Sequence, residues 1–435
     1  MSRPSSRRLP DLSLETDRLE TVSAAVTPMN DPHDDLPERT LVKALSYADS
    51  LGLETYDPFD TKGSPVILWS FKKRSLFRAL VRKAVYGFEL FAPFALRRLL
   101  KIKKVATAGG VGRLAQAHIA THKLDGGVSH LEKAGTLLKW LLEHPGDAPH
   151  GLGWGVPFAW STFFGDVPAG TAVSHTTQAC GHAFLDYFDV TGEKWALEAA
   201  HGCCVFLTQS LKQVPRPSGN VALSYTPFDA SQVINISAES AAFLRRAGRP
   251  EDQELVSRLA GFVVECQAED GSFPYSAQDS VEGENPIDHY HTGMVLNGLL
   301  VLSDDPGCRD AFERGVKFHL ENHFLDNGCP KMRPSATYPV DAYSAGESLL
   351  LFGAVLRRKD VGDELSQAVF ERMIGLVGFV LHFMSYPDGG FVYRMYKGRN
   401  LRLNSLRWAQ ALLCHGLAEY LLVEQELVAR VAGQP

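Results

Sequence analysis

The sequence predicts an all-α protein folded as an α/α toroid, and three observations predict it. Short polar turns recur at a nearly fixed interval. Each turn separates two helical patterns of different character. Long loops rich in aromatic, proline and glycine residues join one helix pair to the next. "VTGEKW" lies around Gly192, "AGRPED" around Gly248, "SDDPGC" around Asp305 and "RKDVGD" around Gly362, at spacings of 56, 57 and 57 residues. A period of that size marks a repeat architecture.

The helix after each turn is amphipathic. Pro306 suits a first helical position behind an Asp305 cap. Phe312, Val316, Leu320 and Phe324 then follow four apart with charges between them, the stripe of a helix with one face in the core. The helix before each turn differs. "QACGHAFLDYF", "VINISAESAAFL", "HTGMVLNGLLVL" and "DAYSAGESLLLFGAVL" are small or apolar nearly all round, as in a helix buried on most sides. Inner helices that repeat and are all buried must ring a common axis.

The joining loops are "GLGWGVPFAWSTFFG", "LSYTPFD", "DGSFPYS", "GCPKMRPSATYPVD" and "DGGFVYRMYKGRN". Loops this long in a compact domain usually serve function. Each feeds the start of an inner helix, where polar residues gather: His175, Thr176 and Gln178; Asp229, Gln232 and Asn235; Asp288, His289 and His291; Asp341, Tyr343 and Glu347; Asn404, Arg407 and Trp408. These starts converge on the mouth of the ring, and each helix N-terminus adds about half a positive charge there. A polar, aromatic-lined cleft of that sign suits a carbohydrate, above all an anionic one. Taken singly, each polar residue is equally a helix cap.

Other features bound the function. The chain has 435 residues, 45% of them hydrophobic, and a formal net charge of −6, so no bulk positive charge points to nucleic acid. Seven cysteines without a CxxC pair read as reduced thiols rather than a disulfide framework or a zinc site. The N-terminus lacks the apolar core of a secretory signal, and no run of about 18 apolar residues predicts a span. The expectation is a soluble, cytoplasmic protein. Residues 1–37 carry five prolines and many charges and are expected to be disordered. The toroid is expected over 38–427, with a short tail at 428–435. Within it, residues 72–104 hold eleven Lys and Arg against one acid, Glu89, interleaved with Leu, Phe and Val. A basic amphipathic segment of this kind can lie on a membrane surface or contact a membrane-bound assembly protein; it can also be a solvated face. "GGVGR" at 109–113 reads as a Gly-rich turn without the strand that a phosphate loop needs. The CHG of "LLCHGLAEYL" falls mid-helix without a partner cysteine motif, so no metal is expected, and no cofactor.

"GWGVPFAW", "LSYTPFDASQVIN", "EDGSFPYS", "IDHYHTGMVL", "YPVDAYSAGESL" and "NSLRWAQALLCHGLAEYL" resemble the VpsJ-type bacterial exopolysaccharide biosynthesis proteins. "YDPFD" at 56–60 and "FALRRLLKIKK" at 94–104 extend the resemblance, which covers roughly 38–425. Where that family more usually has a basic residue, this chain has "STFFGDV". The family is similar in fold to the C-terminal domain of D-glucuronyl C5-epimerase. The resemblance implies a six-hairpin, (α/α)6-like barrel and a polysaccharide context, with a poly- or oligosaccharide as partner.

Two chemistries fit such a cleft. C5-epimerisation and β-elimination of a uronic acid both remove a proton beside a carboxylate, and need a cation with a base and an acid around it. The expected catalytic set is Asp288, His291, Asp341, Tyr343 and Arg407. Substrate contacts are expected from Trp154, Trp160, His175, Gln178, Tyr225, Asp229, Asn235, His289, Tyr393, Arg394 and Trp408. Glycoside hydrolysis is the rival, and would pair two of Asp229, Asp288 and Asp341 across the sugar. A non-catalytic glycan-binding scaffold is the third reading.

Overall fold

The computed structural model describes residues 37–73, 75–162, 165–277 and 285–431. The expected disordered tail therefore lies outside the described residues, except for Pro37, which opens a helix. That helix, α1 (Pro37–Leu51), is followed by α2 (Pro65–Phe71), α3 (Leu76–Phe91) and α4 (Pro93–Leu99). The remaining helices alternate in pairs: α5 (Ala108–Asp125) and α6 (Val128–Glu143), α7 (Ser174–Thr191) and α8 (Lys194–Val205), α9 (Ile234–Ala247) and α10 (Gln253–Glu265), α11 (His289–Val301) and α12 (Pro306–Asn322), α13 (Ala342–Arg357) and α14 (Asp363–Phe379), then α15 (Ala411–Val431).

The odd-numbered helices from α5 to α15 form a closed inner ring. Each packs on the next, and α15 returns to α5. Each also packs on the helix that follows it, while α15 takes α1 as its outer partner. The sixth hairpin is thus completed by α1, the first described helix, and the fold is an (α/α)6 toroid. One apolar core runs from Leu41 to Val423. The turns read from the sequence sit where expected. Gly192 and Gly248 end α7 and α9 in the left-handed region, at φ +70° and +73°, which costs glycine nothing sterically. Asp305 caps α12 by accepting from the Cys308 amide at 3.1 Å, with Pro306 behind it.

Two expectations are corrected. "GGVGR" is not a turn but the first turns of the inner helix α5. Its glycines admit neighbouring backbone: a Cβ on Gly110 would lie 3.0 Å from the Arg407 nitrogen, and one on Gly112 would lie 3.3 Å from Cys180 Cα. The expected tail at 428–435 is helical as far as Val431, where α15 ends. One segment, Asp363–Met384, has the length and hydropathy of a membrane span. It is the outer helix α14 and its extension, with Val369, Met373, Leu376 and Val377 buried on the ring.

Strand structure among the described residues is confined to short strands in the loops. β1 (Glu54–Thr55) pairs with β2 (Val105–Ala106), β3 (Trp160–Thr162) with β4 (Gly165–Val167), and β5 (Gln213–Pro215) with β6 (Val221–Leu223). At the ring mouth β7 (Val340–Asp341), β8 (Arg394–Tyr396) and β9 (Arg399–Leu401) form an antiparallel sheet whose register sets Arg394 opposite Asp341.

Candidate active site in the ring

The inner-helix starts converge as predicted, but most of their polar groups are already engaged. Asp288 caps α11. One of its oxygens accepts from the His291 amide at 3.0 Å and the other meets His291 Nδ1 at 2.6 Å. Asp341 caps α13 by accepting from the Tyr343 amide at 2.8 Å; it also accepts from Trp408 Nε1 at 2.9 Å and from Arg394 Nε. Arg407 grips Asp57 with two hydrogen bonds of 2.6 and 2.9 Å. Asp229 binds the amides of Tyr225, Thr226 and Ser231 and the hydroxyls of Thr226 and Ser231. It is the knot of its own loop.

Several residues expected to contact substrate are structural. Trp154 is 1% exposed, donates to the Leu141 carbonyl and stacks on Phe184. Gln178 is buried between α7 and α9, donating to Ser174 and Ser240. His289 is buried between the Lys331 carbonyl and Ser348 Oγ, against His319 and His323. Burial pushes its pKa down to about 4, although the hydrogen bond to Lys331 opposes that. The corrections at Gln178 and His289 share one cause. An inner-helix start borders both the mouth and the packing between neighbouring helices, and sequence position does not separate the two.

Of the groups that face the ring interior, His175 and Tyr343 stand at the helix starts, and Glu239, Glu347 and Arg113 lie one turn further in. His175 on α7 places Nδ1 at 3.2 Å from Glu239 on α9 and Nε2 at 3.1 Å from the Tyr343 hydroxyl on α13. With Glu239 accepting from Nδ1–H, Nε2 accepts the tyrosine proton, a tautomer assigned from the partners. Asn235, one turn before Glu239, donates to the same carboxylate at 3.1 Å and leaves its own carbonyl oxygen buried without a partner. Glu347, one turn after Tyr343, is held by Arg113 of α5 at 2.9 Å. Side-chain exposure is 17% for His175, 16% for Glu239 and 14% for Arg113, so the network is deep yet reachable.

The two carboxylates are driven apart. Burial raises the pKa of Glu239, but the electrostatic attraction of His175 and the hydrogen bonds from His175 and Asn235 outweigh it, and the net shift is downward. Burial raises that of Glu347, Arg113 only partly opposes it, and the charge of Glu239 adds to the rise. Glu239 is therefore the anion, and Glu347 holds a proton more readily than a free glutamate. Burial, with Glu347 nearby, also lifts the Tyr343 hydroxyl well above its usual range and keeps it protonated. A pair of acids with opposed shifts is the usual signature of divided acid and base roles.

An aromatic cluster lies over this network. Tyr343 and Trp408 rings are 4.4 Å apart, Tyr290 lies 5.5 Å from Tyr343, and Phe59 meets Trp408 edge-on at 4.9 Å. Tyr393 is buried in the same cluster. Trp160 and Tyr225 meet edge-on at 6.1 Å on the loops. The segment around Phe59 comes from the N-terminal part of the chain and brings Asp57 and Lys62. Lys62 Nζ rests 4.4 Å from the centre of the Phe59 ring. Burial depresses its pKa, Asp57 opposes that and Arg407 adds to it.

Sequence reasoning missed Glu239, Arg113, Asp57 and Lys62. The signal for Glu239 was a lone carboxylate inside the otherwise small and apolar "VINISAESAAFL". Arg113 was hidden in the misread glycine run. Asp57 and Lys62 reach the site from outside the repeat and left no periodic signal. Among the described residues no cluster of His, Cys, Asp and Glu is placed to hold a metal ion. A surface cleft of about 530 Å³ is lined by Asp189, His201, Arg246 and Arg249 beside the hairpin turns at Gly192 and Gly248. It lies away from the His175 network.

Fold and site together define an (α/α)6 toroid with an acid–base network inside its ring. No family model matches the chain, and no curated protein does. Solved structures do match. Cellobiose 2-epimerase from Bacillus thermoamylovorans B4167 superposes with a TM-score of 0.55 at 13% identity, covering 73% of this chain and 88% of that one. A family 76 glycoside hydrolase from a bovine Bacteroides thetaiotaomicron strain gives 0.57 at 11% identity, covering 74% and 70%. A possible GH105 member from Salmonella enterica serovar Paratyphi A gives 0.56 at 11% identity, covering 90% and 96%. At these identities the likeness is one of fold.

Proposed function

We propose that the protein is a carbohydrate-active enzyme that works on an anionic sugar by proton transfer beside the sugar carboxylate, as in C5-epimerisation or β-elimination of a uronic acid. The observation that carries this reading is His175, held by Glu239 on one nitrogen and by the Tyr343 hydroxyl on the other, inside the ring. In this scheme Tyr343 Oη takes the C5 proton as its own proton passes to His175 Nε2, and Glu239 stabilises the imidazolium. The electron pair left at C5 spreads into the carboxyl group. Arg113 neutralises that charge, more fully when Glu347 carries a proton. A proton from solvent then adds to the opposite face as His175 releases its own to solvent, which gives the epimer. If instead the C4–O bond breaks, a C4–C5 double bond forms and the departing oxygen takes the proton. Asp288, His291, Asp341 and Arg407 keep the mouth in shape around this centre, and Trp408 and Tyr290 offer faces for the sugar ring.

The named activities of similar folds, cellobiose 2-epimerase among them, support a glycan as substrate. The resemblance to VpsJ-type proteins supports an exopolysaccharide as its source, and seven scattered cysteines without a CxxC pair support a cytoplasmic place of work. The opposed shifts of Glu239 and Glu347 favour a second reading, glycoside hydrolysis with Glu347 as acid and Glu239 as base.

One experiment separates these. The purified chain is incubated in D2O with uronate-containing oligosaccharides and with the polysaccharide of its own host, and NMR follows the sugar. Deuterium at C5 or new C4–C5 unsaturation supports proton transfer. New reducing ends without either would replace it with hydrolysis. Saturable binding with no chemical change would make the protein a glycan-binding scaffold.

A further inference from the structure

Helix α3 is unlike the other described helices: none of its 16 residues is buried. Its amphipathy is inverted. Arg78 and Arg82 turn inward, donating to the carbonyls of Trp69 and Ser70 on α2 at 3.0 and 2.7 Å. Glu89 turns inward to Arg97 at 2.8 Å and to Thr61 at 3.2 Å. The outward stripe, Phe77, Leu80, Ala84, Phe88 and Phe91, follows three- and four-residue spacing along one face. Phe77 is 66% exposed and Phe91 72%; Leu76, at 80%, sits at the helix start. Exposed Lys72 and Lys73 flank the stripe at one end, and Arg98, Lys101, Lys103 and Lys104 at the other.

A contiguous apolar stripe facing water is costly unless something covers it, and charge selects the cover. Residues 72–104 carry eleven basic residues against one acidic, in a chain whose net charge is −6. A second copy of the chain would set this basic segment against its own like charge, whereas an anionic bilayer supplies both an apolar interior and negative headgroups. We infer that α3 docks the protein on an anionic lipid surface. The helix is tied to the mouth: Glu89 holds Thr61 beside Lys62, Arg399 of β9 donates to the Phe91 carbonyl at 2.6 Å, and Phe94 lies 6.0 Å from Tyr56. Docking therefore sets the ring mouth next to the lipid surface, where a glycan still attached to a membrane carrier would be presented. The inference stands on α3 whatever the ring catalyses.

The test is co-sedimentation of the full chain with phosphatidylcholine vesicles, with and without phosphatidylglycerol, at low and high salt. Binding is expected on the phosphatidylglycerol vesicles and is expected to weaken with salt. Leu76→Glu with Leu80→Glu, two side chains in open water, is expected to lower affinity about a hundredfold, leaving the circular dichroism spectrum and melting midpoint unchanged. Lys101→Glu, Lys103→Glu and Lys104→Glu together are expected to cost a similar factor. Binding indifferent to phosphatidylglycerol, or unmoved by either variant, overturns the inference. So does an absence of vesicle binding, whether the chain stays monomeric or forms a dimer that the leucine variant abolishes; the latter would assign the stripe to a second copy.

Discussion

Replacing Arg407 with alanine separates a structural from a catalytic role for the cation at the mouth. Asp57 is 1% exposed, and among the described residues its carboxylate accepts from Arg407 and from the Phe59 amide, the latter at 2.9 Å. Removing the guanidinium leaves a buried carboxylate with one hydrogen bond. Such losses cost about 3–5 kcal/mol. Because the Arg407 side chain keeps 12% exposure, water reaches the pair and the lower end, about 3 kcal/mol, applies. The reverse change, Asp57→Asn, should cost less, about 1–2 kcal/mol. The new amide still accepts one hydrogen bond through its oxygen, and Arg407 keeps the Phe59 and Trp408 rings at 5.8 and 5.2 Å, contacts of about 0.5–2 kcal/mol. At about 2 °C per kcal/mol for a large domain, Arg407→Ala should melt about 6 °C early. Thermal melts of both single variants and the double variant measure the coupling, expected near about 2 kcal/mol. Arg407→Ala that melts with the wild type but loses activity would refute the reasoning, because Arg407 would then act on substrate rather than anchor the 54–64 segment.

Two further predictions concern stability. His289, His319 and His323 form a buried cluster whose pKa values burial pushes down, to about 4 for His289 and well below the ordinary histidine value for the other two. The unfolded chain binds more protons below about pH 6.5, so the cluster's contribution is present above that pH and lost as pH falls. By about pH 5, His289 alone should remove about 2 kcal/mol; melts across this range check it, with His289→Asn expected to flatten the decline. Gly110→Ala should destabilise by about 1–2 kcal/mol in a urea titration. Its Cβ would lie 2.9 Å from Thr107 Oγ1 and 3.0 Å from the Arg407 nitrogen, and overpacking outweighs the helix propensity gained.

The ring was legible wherever an inner helix is small or apolar on all sides, because nothing but burial accounts for such a pattern. It was illegible at α5. There, three glycines mimic a turn, and their reason is the close approach of Arg407 and Cys180 from segments far along the chain. The closing role of α1 was equally hidden, since its partner α15 lies at the other end of the chain. At the site, sequence spacing located the helix starts but could not divide caps from reactive groups. Asp229 is satisfied by its own loop, Asp341 by Arg394 and Trp408, and Asp288 by the His291 beside it. Glu347 was read with the polar start of α13, but Glu239 stands one turn inside α9, where the expectation was an apolar wall.

Proton transfer at a sugar carbon depends on His175 linking Glu239 to Tyr343, and deuterium uptake into a uronate in D2O reads that link most directly. The wild-type chain is expected to place deuterium at C5, or to yield the unsaturated product. Tyr343→Phe and Glu239→Gln are each expected to slow this at least about a hundredfold, the range for loss of general acid–base catalysis, while folding like the wild type by circular dichroism. Undiminished deuterium uptake in both variants, or turnover of uronate without any exchange at C5, would contradict it.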